Sequence, residues 1–106
     1  KNPREYDVLR EFIRLAFENY MSEHKATFYA NEIGLSLSHF CATIKKATGK
    51  PILDWIHEAV LIDAKMLLHS TDLTVEQIAD RLNFSSPSAF VQFVKKHTGK
   101  TPRKLW

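Results

Sequence analysis

Two lysine pairs stand fifty positions apart and close nearly the same phrase, KKATGK at Lys45 to Lys50 and KKHTGK at Lys95 to Lys100. Paired ammonium groups recurring in a fixed frame place cations at set positions, a chemistry suited to a polyanion. The residues before each pair offer a different chemistry. On a helical wheel of 100° per residue, Ser38, Cys41 and Ala42 share a side with Lys45, and Ser88, Val91 and Gln92 share one with Lys95. Serine and glutamine can hydrogen-bond base edges, small apolar groups can pack on a thymine methyl, and lysines at a groove edge can neutralise phosphates. Neither side carries a carboxylate. The alternative reading is that these small residues pack against a partner helix or an upstream domain.

The repetition runs further back than the lysines. Laying LSLSHFCATIKKATGK (Leu35 to Lys50) on SSPSAFVQFVKKHTGK (Ser85 to Lys100) gives eight identities, including Ser36/Ser86, Phe40/Phe90 and Gly49/Gly99. A self-match at fixed offset marks a duplicated structural unit. The opposite side of each wheel gathers Phe40, Thr43, Ile44 and Ala47 in one copy and Phe90, Phe93, Val94 and His97 in the other, so these are the expected core faces.

Helical periodicity dominates the elements that must position these faces, with three glycines, four prolines and no alternating strand-like runs. A first amphipathic helix is predicted from Pro3 to about Ser22, with Val8, Phe12, Leu15 and Ala16 on one stripe. A short helix over about 27–33 ends at Gly34, and Ser36 offers an N-cap to a helix running to about Thr48. The segment from Ile52 to His69 is apolar over most of its circumference and is expected to lie largely buried. Thr74 and Gln77 form a capping-box pattern before a helix over 75–82, and Asn83 stands in the left-handed position that Gly34 holds in the first copy. Ser86 and Pro87 read as N-cap and first position of a helix ending before Gly99, and Thr101 and Pro102 start a terminal turn.

Each copy thus reads as short helix, tight turn, longer helix, the helix-turn-helix arrangement whose second helix can enter a major groove. The expected fold is all-α, with about seven helices: a first helix-turn-helix subdomain over 1–50, a linking helix over 51–70 and a second subdomain over 71–106. A linker of about 18 residues is roughly 27 Å long, which allows two recognition helices about one turn of B-DNA, ~34 Å, apart.

Composition narrows the class. A chain of 106 residues suits one domain and buries roughly two-thirds of its unfolded surface. The net charge is +3, and its excess lies in the repeats: residues 1–35 hold five basic and six acidic side chains, residues 36–106 ten and six. A single cysteine excludes an internal disulfide. Without a signal peptide or an apolar run of membrane-spanning length, the expectation is a soluble, cytoplasmic protein. The missing initiator methionine predicts further sequence upstream. No metal or cofactor is expected, because His39 and Cys41, two apart on a helix, point about 200° from each other. Cys41 has no base partner on its face, and Asp54, Asp63, Asp72 and Asp80 lack paired spacing, so an enzyme is not expected. Trp55 and Trp106 read as packing anchors.

The second motif, DLTVEQIADRLNFSSPSAFVQFVKKHTGKTPRKLW, resembles the AraC/XylS family of bacterial transcription regulators. Ile78 and Ala79, Phe84, Phe90, Lys95, Gly99 and Pro102 occupy the places of that family's Ile-Ala pair, Gly-Phe turn, Phe-Lys pair and Gly-x-x-Pro close. Asn83 replaces its turn glycine, Val94 its phenylalanine before the lysine, and Val60 an arginine common in the linking helix. The resemblance covers about residues 6–106. It implies a seven-helix, two-subdomain module that follows a separate sensing or dimerisation domain, acts on double-stranded promoter DNA and works with RNA polymerase. Under that reading Ser38, Cys41, Ala42, Ser88, Val91 and Gln92 meet bases. Lys45, Lys46, Lys95, Lys96, Lys100 and Arg103 meet phosphates.

Overall fold

A computed structural model describes residues 3–102, in which every regular element is helical. The order is α1 (Pro3–Asn19), α2 (Ala26–Ile33), α3 (Leu37–Thr48), α4 (Ile52–Ser70), α5 (Val75–Arg81) and α6 (Pro87–Thr98). These are six of the roughly seven expected helices. The predicted terminal turn begins at Pro102, which is helical and buried, and the rest of it, including Arg103 and Trp106, lies outside the described residues. The chain divides into two compact units within α4, one ending at Glu58 and the other beginning at Ala59.

In the first unit, α1, α2 and α3 pack on one another in all three pairings. Val8, Phe12 and Leu15 of α1 meet Tyr29 and Ala30 of α2 and Phe40 and Ile44 of α3 in the core. Phe12 is the hub: its ring stands edge-on to Tyr29 at 5.6 Å and to Phe40 at 5.8 Å between centroids. Such T-shaped pairs set the electropositive ring edge against the electronegative face, adding to the area each ring buries. In the second unit α5 packs on α6, and Ile78, Ala79, Leu82, Phe90 and Val94 are all 0 or 1% exposed.

The start and stop signals act as local chemistry dictates. Ser36 Oγ accepts from His39 N at 3.2 Å and Ser86 Oγ from Ala89 N at 3.0 Å, capping α3 and α6 alike. The Thr74–Gln77 capping box is complete, with Gln77 N donating to Thr74 Oγ1 at 3.1 Å and Thr74 N to Gln77 Oε1 at 2.9 Å. Its counterpart ahead of α2 is Lys25, which caps nothing with its side chain.

The turns show where the repeat slips. Gly34 (φ 86°) and Asn83 (φ 63°) are both left-handed, yet they lie forty-nine positions apart, not fifty. Leu35 N bonds Ala30 O at 3.0 Å and Phe84 N bonds Ala79 O at 2.9 Å, the same closure at the same offset of forty-nine. From Ser36/Ser86 onward the offset is fifty. The second turn is therefore one residue longer. Asparagine tolerates the left-handed region through its short polar side chain, so it serves where glycine serves in the first copy.

Two expectations about burial are corrected. Helix α4 is not largely buried: only Ile52, Ile56, Val60 and Ala64 reach the core, while Ile62 is 62% and Met66 55% exposed. Residues four apart form a single stripe, and with so few helices per unit only that stripe finds neighbours. Ala47 and His97 are exposed as well, not core. Both stand in the last turn of their helix, between the exposed lysine pair and the glycine that turns the chain, so phase alone does not bury them.

Tyr29 yields a prediction that isolates one core group. Its side chain is 0% exposed and its hydroxyl donates to Glu23 O at 2.9 Å. Burial, and secondarily the Glu23 charge, pushes the phenol well above its ordinary value near 10. The folded state thus holds the proton more tightly than the unfolded state. The contribution to stability is full below about pH 10 and is lost above it, where unfolding releases a proton, at up to about 1.4 kcal/mol per pH unit. Urea melts at pH 9 and 11 should show a larger loss for the unaltered chain than for Tyr29→Phe. Equal losses would show that the phenol is not the titrating group.

Candidate nucleic-acid interface

The outward sides of α3 and α6 are built alike. Ser38 and Ala42 of α3 are exposed and Cys41 is half-buried; Ser88 and Gln92 of α6 are exposed and Val91 is half-buried. Within each helix, therefore, the three residues nominated for base contact share one accessible side, with the middle one leaning toward the core. Lys45, Lys46, Lys95 and Lys96 are exposed at the helix ends, and Lys100 is exposed just past Gly99. Neither helix has an acidic residue in its first turn, and neither contains one at all. Arg103 lies outside the described residues.

The bend after each helix is fastened by one threonine. Thr48 Oγ1 donates to Ile44 O at 2.8 Å and accepts from Lys50 N at 3.2 Å; Thr98 Oγ1 donates to Val94 O at 2.7 Å and accepts from Lys100 N at 3.2 Å. Gly49 and Gly99, both at φ 78°, turn the chain there. The repeated TGK thus sets where the last lysine of each phrase begins. In the first unit Trp55 Nε1 also donates to Thr48 Oγ1 at 3.1 Å, and Trp55 is 39% exposed. Trp55 latches a corner and is not a core anchor.

Charges around the two helices differ in a way the repeat does not announce. The Lys46 Nζ lies 3.2 Å from Glu5 Oε2. Lys50 pairs with Glu58 and also stands over the Trp55 ring, 4.1 Å from its centroid. The other acids of α1 face arginines of their own helix: Asp7 with Arg10 at 3.8 Å, and Glu11 and Glu18 with Arg14 at 2.8 and 3.4 Å. The hydrogen bond from Arg14 lowers the Glu11 pKa, keeping that exposed carboxylate charged. Lys45, Lys95, Lys96 and Lys100 make no ion pair among the described residues.

Sequence reasoning passed over Leu37, which is 45% exposed at the first position of α3 and lies one turn before Cys41 on the same side. The signal was there, an apolar residue at a helix start four positions before Cys41, on the side already nominated for contact. Among the described residues no group of three or more His, Cys, Asp or Glu side chains is gathered closely enough to hold a metal ion. No described helix is long and apolar enough to cross a membrane.

Two capped recognition-type helices, each preceded by a short helix and a left-handed turn, define a double helix-turn-helix protein. The profile of the helix-turn-helix domain family matches residues 29–105. The chain belongs to that family, in its AraC type. It is 30% identical over 87 residues to the HTH-type transcriptional regulator ExsA of Pseudomonas aeruginosa, a match covering 82% of this chain and 31% of ExsA. The chain thus spans about a third of that relative's length. The DNA-binding domain of AdpA, solved in complex with a target DNA, superposes with a TM-score of 0.78 at 25% identity, over 92% of this chain and 87% of that one. An AraC-type transcriptional regulator from Chromobacterium violaceum superposes at 0.75 and 25% identity, over 97% and 92%.

Proposed function

We propose that this chain binds double-stranded promoter DNA sequence-specifically, as the output domain of an AraC-type transcription regulator, with α3 and α6 in successive major-groove segments. Ser38, Cys41, Ala42, Ser88, Val91 and Gln92 face bases. Lys45, Lys46, Lys95, Lys96, Lys100 and Arg103 sit at or near phosphates. The observation that carries this reading is the acid-free, accessible side repeated on both helices, with lysines at the same end of each. A carboxylate there would repel a phosphate backbone, and in both copies none is present. The likeness to ExsA, a transcriptional regulator, and to AdpA, a global transcriptional factor solved with its target DNA, supports the same reading. In the longer protein a sensing or dimerisation domain precedes this module, RNA polymerase is the downstream partner, and the location is the cytoplasm. The reading assigns the chain no catalysis.

Gln92 is the strongest hydrogen-bonding reader, since its amide can pair with the N6 and N7 edge of adenine. Duplexes selected from a random pool should show two motifs about one helical turn apart. Gln92→Ala is expected to relax preference at one base pair in the motif under α6, at a cost of about 1–3 kcal/mol, whereas Lys95→Ala weakens all sequences alike. If Gln92→Ala lowers affinity equally for every sequence, Gln92 is not a base reader.

A further inference from the structure

By sequence the two copies carry equal lysine sets, Lys45, Lys46 and Lys50 against Lys95, Lys96 and Lys100. In the folded chain they are unequal. Glu5, itself only 22% exposed, holds Lys46 at 3.2 Å from a neighbouring helix. Glu58 pairs with Lys50, whose side chain is 29% exposed and whose ammonium also stacks on Trp55. None of the three second-copy lysines has such a partner among the described residues.

We propose that the two helix-turn-helix units grip phosphate unequally: Glu5 and Glu58 neutralise Lys46 and Lys50, so the second unit supplies most of the backbone affinity and these two carboxylates set the first unit's share. This rests on the DNA-binding reading and refines it. The strength of each ion pair is not the issue, since exposed pairs hold weakly. What matters is exchange of partners: a lysine beside a carboxylate already holds its counter-charge within the protein, so moving to a phosphate only trades one anion for another. Such a lysine therefore releases little counterion on binding. Trp55 adds a second hold on Lys50, because its indole is fixed through Thr48 and its face attracts the ammonium. Glu5 and Glu58 are thus positioning residues for charge and touch no DNA themselves.

The test is a salt titration of the 106-residue chain on a mixed-sequence duplex about three helical turns long, which reads phosphate contacts without needing the operator. Lys100→Ala is expected to flatten the log-log salt slope by about 0.9, and Lys50→Ala to leave it unchanged. Glu58→Gln, at a half-exposed position, is expected to steepen the slope by about 0.9, so that the affinity lost between 50 and 200 mM salt grows by a further ~3-fold. The double variant Lys50→Ala with Glu58→Gln should return to the unaltered slope. Glu5→Gln should steepen it only while Lys46 is present. Flattening by Lys50→Ala equal to that by Lys100→Ala, or no steepening from Glu58→Gln, overturns this proposal and leaves DNA binding intact. Failure of the unaltered chain to bind the duplex in a salt-dependent way removes the DNA-binding reading and this one together.

Discussion

Truncating Phe90 to alanine is expected to destabilise the second unit by about 3–5 kcal/mol, the upper range for a buried aromatic. The side chain is 0% exposed on the first turn of α6, and the neighbouring Phe84 ring lies 5.3 Å from it. Phe84 in turn packs on Phe93 at 5.1 Å, so removing the Phe90 ring leaves a void beside a side chain that is already engaged. Collapse into that void is resisted by the tight closure of the turn, where Phe84 N is fixed to Ala79 O. The loss is a large part of the 5–15 kcal/mol by which domains of this size are stable. Hydrogen exchange is the informative readout, because it reports opening unit by unit. Amides of α5 and α6 should lose protection by about two to four orders of magnitude, while those of α2 and α3 keep most of theirs. Equal loss in both would mean that the two units open together, and a change of under about 1 kcal/mol would mean that the site repacks.

The second large effect is on DNA affinity. Four lysines free of ion pairs among the described residues, counted with Arg103 of the proposed phosphate set, are expected to give a log-log salt slope of about −4 to −5 at 0.9 per phosphate neutralised. Raising salt from 50 to 200 mM is then expected to weaken binding several hundred-fold. Fluorescence anisotropy of a labelled duplex across that range measures it directly. Protein docking on the apolar side of either helix, through Leu37, Cys41 and Ala42 of α3 or Val91 of α6, would respond only weakly, because apolar contacts carry no counterions to release. A slope shallower than about −2 would favour that rival and count against these five cations as phosphate contacts. The effect is large because it is a sum, whereas any one lysine moves the slope by less than one.

Much of this architecture was legible in the residues, for a reason that can be stated element by element. Ser36, Thr74 and Ser86 announce helix starts because a cap acts over three residues, and Gly34, Asn83, Gly49 and Gly99 announce stops because a left-handed φ is a property of one residue. The polarity of α3 and α6 was readable too, since a helix of known phase assigns each side chain a side. Even the equivalence of the two copies was visible, although the single-residue slip at the second turn emerged only when the closures Leu35 to Ala30 and Phe84 to Ala79 were matched.

What stayed hidden depends on what stands opposite a residue. Helix α4 is apolar nearly all round, but burial requires a neighbour, and only the stripe through Ile52, Ile56, Val60 and Ala64 has one. Ala47 and His97 lie in phase with the core and are exposed all the same, in the last turns of α3 and α6. The charge asymmetry is the sharpest case: Glu5 meets Lys46 across forty-one residues, and nothing in KKATGK distinguishes its lysines from those of KKHTGK. Local rules determined which helices form and which way each faces, because capping, turning and periodicity act within a few residues. Tertiary structure alone decided which cations remain available, because Coulomb attraction acts on distances in space, and only folding brings Glu5 and Glu58 to their lysines.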